Sequence, residues 1–226
     1  MIKLFPVGHV YYTRGYRVLK IILASTSPRR RVLLESLGLN PIVRSPRGVG
    51  ENLGGDPRFT AMYNASLKAL SVYEELPGEE DIIVIAADTL IELDGRILGK
   101  PRSTWEARWM LHYIAGRYHR VLTGLAVMSN INGVHRRFIE LGEALVKIKQ
   151  LDDDEIEWYI RTGEPLEAAG AYMLQGIGGV FVEDLKGDPY TVIGLPLSKL
   201  YVILRMLGVK LPDNPPGKGG LLWLRK

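Results

Sequence analysis

Residues 25–31 (STSPRRR) combine hydroxyl and guanidinium side chains in one short stretch, and such groups can bind an anion. They follow the apolar, strand-like run 18–24 and precede leucines at helical spacing, so the expected order is strand, turn and helix. Ser27 suits the N-cap position, and arginines in the first helical turn oppose the helix dipole unless an anion is bound. Phosphate suits both a helix N-terminus and guanidinium groups. The alternative is a solvated basic first turn.

Two acidic and two basic side chains elsewhere extend this possible phosphate site. Asp88 follows the apolar run 82–87 (IIVIAA), where an α/β sheet collects ligands, although an aspartate there could equally belong to an ordinary turn or cap. Glu51 lies in a loop-like stretch. Lys68 is expected late in a helix and Lys100 in a Gly-Lys-Pro loop, and each lysine taken alone would be a solvated surface residue.

The basic side chains could together neutralise a triphosphate: Arg29, Arg30, Lys68 and Lys100. The carboxylates of Glu51 and Asp88 are hard oxygen ligands of the kind that Mg²⁺ or Mn²⁺ prefers, often together with phosphate. The expected reaction is metal-assisted hydrolysis of a phosphoanhydride bond, in which a carboxylate activates or positions water. The sequence contains neither a Walker A motif nor a dinucleotide fingerprint.

His119 and Thr123 alternate in the segment 119–124 (HRVLTG), so both are expected on one face of a strand. For His119 alone, a satisfied structural histidine is the expected role.

The composition is that of a globular chain, with 226 residues of which 46% are hydrophobic and 24% charged. The net charge of +4 permits an anionic small molecule or nucleic acid as partner but requires neither. The absence of cysteine excludes disulfides, thiol nucleophiles and zinc–thiolate sites, and it fits a reducing cytoplasm. No apolar run approaches the roughly 20 residues that span a bilayer, so we expect a cytoplasmic protein without a membrane segment.

The strand and helix patterns predict an α/β or α+β fold with a mixed sheet. Besides 18–24, the predicted strands are 82–87, a hairpin at 90–98, a meander of 121–128, 134–141 and 143–151, and 180–185. The predicted helices are 28–37, 58–76, 103–114, 152–161 and 196–207, and 40–56 is predicted to be a loop. We expect 18–211 to form a single catalytic domain, with 1–17 an appendage and 212–226 a loose tail.

These blocks resemble, in order, those of the Maf family of nucleoside triphosphate pyrophosphatases. The segment 23–39 (LASTSPRRRVLLESLGL) is similar to the N-terminal signature of that family. The later matching blocks are Glu51, Lys68-Ala69, Ala87-Asp88-Thr89, Gly99-Lys100-Pro101, HRVLTG (119–124), AGAY (169–172), LQG (174–176) and GLPL (194–197). The resemblance extends from about Val18 to Gly208, nearly the whole chain apart from both tails.

The resemblance implies an elongated two-lobed body around a twisted mixed sheet, similar to the inosine triphosphatase fold, with a cleft and often a homodimer. It implies metal-dependent hydrolysis of a nucleoside triphosphate to monophosphate and diphosphate. By position, it implies phosphate binding by Ser27, Arg29, Arg30, Lys68 and Lys100. Glu51 and Asp88 would serve metal and water, with Asp88 as general base, so that these two acids and the two lysines form the catalytic set. Thr89 and Gln175 would face the nucleotide.

The residues at several positions of these blocks resemble those of one branch of the family. SPRR, ADT and LQG are similar to the branch that acts on dTTP and UTP, whereas the branch associated with 7-methyl-GTP tends to carry Gln in place of Thr89. Two departures are present: Ala168 stands where many relatives have lysine, and Ala144 or Leu145 replaces a threonine often seen there. The missing lysine removes a positive charge that would affect rate and selectivity more than reaction class.

Two other functions compete with an enzyme. A nucleotide-sensing regulator of cell division would bind the same ligands with little turnover, but it has little need for both acids, Glu51 and Asp88. A nucleic-acid-binding protein would agree with the basic pI, but the arginine run lacks the aromatic stacking residues that bind single strands. We therefore expect a nucleoside triphosphate as partner, with no nucleic acid and no membrane.

Overall fold

The structure is a computed structural model that describes residues 9–11, 18–50 and 54–211. Within these residues the chain forms eight strands: β1 (His9–Tyr11), β2 (Val18–Ala24), β3 (Ile42–Arg44), β4 (Ile82–Leu93), β5 (Arg96–Leu98), β6 (Tyr118–Ile131), β7 (Val134–Ile148) and β8 (Val182–Gly187). It also forms six α-helices: α1 (Pro28–Ser36), α2 (Pro57–Tyr73), α3 (Thr104–Ile114), α4 (Asp153–Arg161), α5 (Pro189–Ile193) and α6 (Leu197–Met206). Three short 3₁₀ segments, Glu164–Glu167, Ala169–Ala171 and Ile177–Phe181, lie between α4 and β8.

The eight strands form one mixed sheet. Its main order is β1-β2-β4-β6-β7-β8, while β3 pairs with β2 and β5 pairs with β4. Strand β2 is parallel to both β3 and β4, and the other pairs are antiparallel. The mixed α/β class predicted from the sequence is confirmed.

The central strand β4 has two successive partners along one of its edges. Strand β2 pairs with residues 82–85 and β5 with residues 91–93, whereas β6 pairs along the opposite edge from Ile82 to Glu92. Between those two partners, no strand of the described residues pairs with the first edge at 86–90. Asp88 and Thr89 lie in this gap, and the continuous pairing with β6 keeps the strand regular there.

Helices cover both faces of the sheet, and the side chains of β4 alternate between two cores. Ile83 and Ile85 belong to a core shared with α1 and α6, whereas Val84 and Ala86 belong to a core built against α2. A third core joins α3 and α4 to the C-terminal end of β4. Residues 82–87 of β4 are therefore buried on both faces, as their continuous apolar sequence predicts.

Strand β4 is longer than predicted, and this corrects the position of Asp88. The sequence analysis placed Asp88 after the end of a strand at 82–87, but the strand continues to Leu93 and Asp88 lies inside it. The polar pair Asp88-Thr89 interrupts the apolar pattern, which is why the predicted strand stops too early. In the fold, helices α2 and α1 supply hydrogen-bond partners for these two side chains, so the strand continues.

Two further strand predictions were wrong. The meander consists of two long strands, β6 and β7, because β7 continues through Gly142, where a break was predicted. A Cβ on Gly142 would lie 2.4 Å from Thr191 Oγ1, so this glycine allows α5 to approach the sheet. The predicted loop 40–56 also contains β3, which pairs parallel to β2.

No helix within the described ranges is long and apolar enough to cross a membrane. Strand β1 lies within the predicted appendage 1–17 and pairs antiparallel with β2. Residues 212–226 lie outside the described part, so the division into appendage, domain and tail stays a prediction.

Helix α2 closely approaches β6 at Gly124, the residue paired with Asp88 across the β4–β6 ladder. A Cβ on Gly124 would lie 2.1 Å from the carbonyl oxygen of Ala61, a backbone atom that cannot rotate away. Since α2 also carries Asn64 and Lys68, this approach helps to set the distance from those two side chains to β4.

We expect Gly124→Ala to lower the free energy of unfolding by about 1–3 kcal/mol, because overpacking forces the backbone to shift. Gly50→Ala is the matched control, since a Cβ there would meet none of the described atoms within 4 Å. Its effect should stay within about 0.5 kcal/mol. Urea unfolding followed by circular dichroism measures both variants, and equal stabilities would mean that α2 can retreat from β6 without cost.

Candidate active site

A cleft of about 600 Å³ opens at the gap in the edge of β4. Its walls come from the turn before α1, helix α2, strands β4 and β6, the loop around Lys100 and the segment 167–175. Eight of the nine predicted site residues line it: Ser27, Arg29, Arg30, Lys68, Asp88, Thr89, Lys100 and Gln175. Glu51, the ninth, lies outside the described residues.

The lining combines charged and apolar surface. Among the described lining residues, four are basic (Arg29, Arg30, Lys68 and Lys100) and two are acidic (Asp88 and Glu167), which leaves a formal charge of 4 − 2 = +2. The larger apolar lining residues are Ile91, Val121, Tyr172, Met173, Val192 and Ile193. A cleft of this kind suits a ligand that carries both phosphate groups and a less polar moiety.

Asp88 is the buried acid of the cleft, with 4% of its surface exposed. Its Oδ1 accepts a hydrogen bond from Lys68 Nζ at 2.5 Å, and its Oδ2 accepts one from Asn64 Nδ2 at 3.0 Å. The two donors are four residues apart on α2 and therefore lie on the same helix face. Both oxygens of the carboxylate are thus oriented by a single helix.

Arg30 is held by three neutral acceptors. Its Nε donates to the carbonyl oxygen of Gly194 at 2.8 Å, Nη1 to Ser25 Oγ at 3.1 Å and Nη2 to Thr89 Oγ1 at 3.2 Å. Because none of these three acceptors is charged, they orient the guanidinium group without neutralising it.

A chain of hydroxyl groups leads from Arg30 into the core. Thr123 Oγ1 donates to the carbonyl oxygen of Thr191 at 2.8 Å, so the 2.9 Å contact between Thr89 and Thr123 has Thr89 as donor. Thr89 therefore accepts from Arg30 and donates to Thr123, which is completely buried. This chain links α1, β4, β6 and α5, and it fixes the rotamer of Thr89 in the cleft.

The N-terminus of α1 lies at the cleft wall. Ser27 occupies the N-cap position as predicted, but its side chain makes no capping hydrogen bond, and the first turn contains no acidic residue. Arg29 Nη2 donates to the carbonyl oxygen of Glu167 at 3.0 Å, and Arg29 Nε is buried without a hydrogen-bond partner among the described residues. Burial lowers the pKa of Arg29, whereas Glu167 and Glu164 raise it, and the group stays cationic at neutral pH. Arg31 pairs with Glu35 outside the cleft lining.

Lys100 and Glu167 form an exposed ion pair across the cleft, with Nζ and Oε2 2.7 Å apart. The loop of Lys100 is tied to the opposite wall by a backbone hydrogen bond of 3.0 Å from Gly170 to the carbonyl oxygen of Gly99. Ala168, where the family resemblance led us to expect lysine, is buried in this wall.

The loop that carries Gln175 is anchored by Glu164. The carboxylate of Glu164 accepts hydrogen bonds from the backbone amides of Ile177 and Gly178, at 2.9 and 2.8 Å, and from the hydroxyl of Tyr159 at 2.7 Å. A Cβ on Gly176 would lie 2.3 Å from this carboxylate, so only glycine allows the contact. Burial, together with the hydrogen bond to Glu164, raises the pKa of Tyr159 and keeps the phenol protonated.

His119 lies behind the cleft lining, in contact with Tyr172. Its Nε2 is 2.9 Å from the hydroxyl of Tyr172, and the histidine is 1% exposed. Burial lowers the pKa of His119 to about 4, so the ring is neutral at pH 7. The buried, neutral ring agrees with the structural role expected from the sequence, but the ring is not fully satisfied, because Nδ1 has no hydrogen-bond partner among the described residues.

The structure adds four residues that the sequence analysis missed. Asn64 could have been found, because it precedes Lys68 by one helical turn and so lies on the same face. Tyr172 belongs to the matching block AGAY (169–172), but no site role was assigned to it. Glu164 and Glu167 carried no such pattern, since their roles depend on contacts between distant segments.

Asp88 is the one predicted metal ligand that lies within the described residues. They contain no group of three His, Asp or Glu side chains that could hold a metal ion. Asp88 nevertheless suits Mg²⁺ or Mn²⁺, because such ions are often bound by one or two carboxylates together with substrate phosphates. The cleft provides that carboxylate beside groups that can bind phosphate.

Comparison with known proteins agrees with this geometry. The family model described as "Maf-like protein" matches residues 20–207. A dTTP/UTP pyrophosphatase of Anaeromyxobacter dehalogenans (strain 2CP-C) is 43% identical over 199 residues, which cover 87% of this chain and 98% of the relative. The dTTP/UTP pyrophosphatases of Aquifex aeolicus and Thermococcus gammatolerans are each 42% identical, over 84% and 83% of this chain and 97% and 96% of the relatives. The family match spans most of β2, strands β3 to β8, the six helices and the residues that line the cleft, and the chain belongs to the Maf family.

Proposed function

We propose that this protein hydrolyses nucleoside triphosphates, dTTP and UTP foremost, to the nucleoside monophosphate and diphosphate. The observation that carries the proposal is the cleft, whose described lining has an excess of positive charge around the oriented, buried carboxylate of Asp88. The names of relatives more than 40% identical over most of the chain support the same reaction and the pyrimidine substrates.

The basic side chains would bind the triphosphate in this proposal. Arg29, Arg30 and Lys100 contact the phosphates together with the amides and Ser27 at the start of α1, where the helix dipole favours an anion. The hydrogen bonds from Arg30 to Gly194, Ser25 and Thr89 orient its guanidinium group before the ligand binds, so little conformational entropy is lost on binding. Gln175, in the loop that depends on Gly176, and the oriented hydroxyl of Thr89 would face the nucleoside.

Asp88 is the proposed general base. Asp88 takes a proton from a water whose oxygen attacks the α-phosphorus, the bond from that phosphorus to the bridging oxygen breaks, and diphosphate leaves with the bridging oxygen. Lys68 and Asn64 orient the carboxylate, and Lys68 also offsets developing negative charge. Asp88, with Glu51 as a second ligand, would hold a divalent metal, which polarises the phosphoryl group when bound.

A nucleotide sensor is the second candidate function. Each oxygen of Asp88 already accepts one hydrogen bond, so a general base needs a remaining lone pair of that carboxylate to face a water. A protein that binds nucleotide without placing a water against Asp88 would not hydrolyse it.

Two further parts of the proposal are a homodimer and a cytoplasmic location. The absence of cysteine supports the location.

The first test is diphosphate release from a panel of dTTP, UTP, CTP and 7-methyl-GTP, with Mg²⁺ or Mn²⁺ and with chelator. We expect metal-dependent release that is fastest with dTTP or UTP. Nucleotide binding without turnover would instead favour the sensor, and a preference for 7-methyl-GTP would contradict the assignment of the branch.

Asp88→Asn should lower kcat by about 10²–10⁴-fold, because it removes the base with little change in volume. Circular dichroism should show that the variant remains folded. Asp154→Asn, in the exposed first turn of α4, is the control and should leave kcat unchanged. If Asp88→Asn retained near-normal turnover, the assignment of Asp88 as general base would be wrong and another group would have that role.

Arg29→Ala should raise KM by about tenfold or more, because a charge-assisted hydrogen bond to phosphate is lost in the ground state as well as in the transition state. Arg31→Ala is the matched control from the same run, since Arg31 pairs with Glu35 outside the cleft lining. Steady-state kinetics with dTTP measures both. A fall in kcat at constant KM would refute ground-state phosphate binding by Arg29.

A further inference from the structure

Glu167 lines the cleft among the cations that we propose bind phosphate. Its Oε2 accepts a hydrogen bond from Lys100 Nζ at 2.7 Å, and its carbonyl oxygen accepts one from Arg29 Nη2 at 3.0 Å. Glu167 therefore contacts two of the side chains that we propose bind phosphate. A carboxylate in this position repels an incoming anion and occupies a cation that the anion needs.

The backbone holds Glu167 and Lys100 together. Gly170 donates a hydrogen bond to the carbonyl oxygen of Gly99 at 3.0 Å, which ties the two cleft walls next to this ion pair. Gly170 has φ of +67°, and a Cβ there would lie 2.1 Å from Ile91 Cδ1, so the tie depends on glycine. Because both segments are fixed, the fold keeps the carboxylate within reach of Lys100.

The ion pair can be displaced by a stronger ligand. The side chains of Lys100 and Glu167 are 50% and 64% exposed, and ion pairs so exposed contribute little to stability. A diphosphate or triphosphate group carries more negative charge than a carboxylate and accepts more hydrogen bonds, so it can replace the carboxylate on Lys100.

We propose that Glu167 is an affinity-determining residue, whose carboxylate occupies Lys100 in the free protein and competes there with phosphate groups. The choice of phosphate as competitor rests on the proposed function. The competition weakens every ligand that needs Lys100. Diphosphate, the proposed product, lacks a nucleoside to contact the rest of the cleft, so the competition makes it a poor ligand and favours its release.

Calorimetric titration with inorganic diphosphate at low ionic strength tests this proposal. Glu167→Gln should bind diphosphate about two- to fivefold more tightly than the wild type, because the amide keeps the size of the side chain and removes the competing charge. Glu183→Gln is the matched control, since Glu183 pairs with Lys147 at 2.8 Å outside the cleft lining and its loss changes the net charge equally. A control that binds as tightly as Glu167→Gln would overturn the proposal.

A double-mutant cycle tests whether Glu167 acts through Lys100. In a Lys100→Gln background, Glu167→Gln should have a smaller effect on diphosphate affinity, because the contact under competition is absent and only the repulsion by the carboxylate remains. An undiminished effect in that background would overturn the route through Lys100. Weaker binding by the single variant Glu167→Gln would make the carboxylate a favourable contact and would also overturn the proposal.

Turnover of dTTP and UTP by the same preparations separates this inference from the proposed function. If Glu167→Gln binds diphosphate more tightly but the wild type does not hydrolyse dTTP or UTP, the results would contradict the proposed enzymatic function and support the competition. Normal turnover with unchanged diphosphate affinity would support the enzyme and overturn the competition. If neither protein binds diphosphate, the assignment of Lys100 to phosphate fails, and the inference fails with it.

Discussion

The continuous pairing of β4 with β6 is the constraint on which the cleft depends. It extends from Ile82 to Glu92 and so covers the interval on the other edge between the last residue paired with β2, Ile85, and the first paired with β5, Ile91. One edge can therefore stay open at Asp88 and Thr89 while the backbone remains a strand. A site on a regular strand is held more rigidly than one on a loop, and this suits a carboxylate whose two oxygens need fixed partners.

Close contacts at glycine bring the other walls to this strand. Gly124 allows α2 to reach β6, so that Lys68 and Asn64 can meet Asp88. Gly170 and Gly176 have the same role for the segments that carry Glu167 and Gln175. At each of these positions a methyl group would collide with its neighbour, so the shape of the cleft follows from the absence of a side chain.

The electrostatics of the cleft follow from how its cations are held. Arg30 donates to Gly194, Ser25 and Thr89, and Arg29 donates to the carbonyl oxygen of Glu167; all four of these acceptors are neutral groups. Lys68 and Lys100 pair with carboxylates, one buried and one exposed. The buried pair orients Asp88, whereas the exposed pair is the weaker contact and the one that an anionic ligand can exchange.

The sequence by itself determined the fold class, most elements and eight residues that the fold collects in one cleft, because apolar periodicity, caps and residue types are local properties. It set the start of α1 at Ser27-Pro28 and the turn at Asn132-Gly133 correctly. The predicted end of β4 came too early, a break in β7 was predicted at Gly142, and Asn64 and Glu167 were not identified as site residues. Only the tertiary structure decided these points: a polar residue can continue a buried strand, and an acid can face a basic cleft, when a distant segment supplies its hydrogen-bond partner.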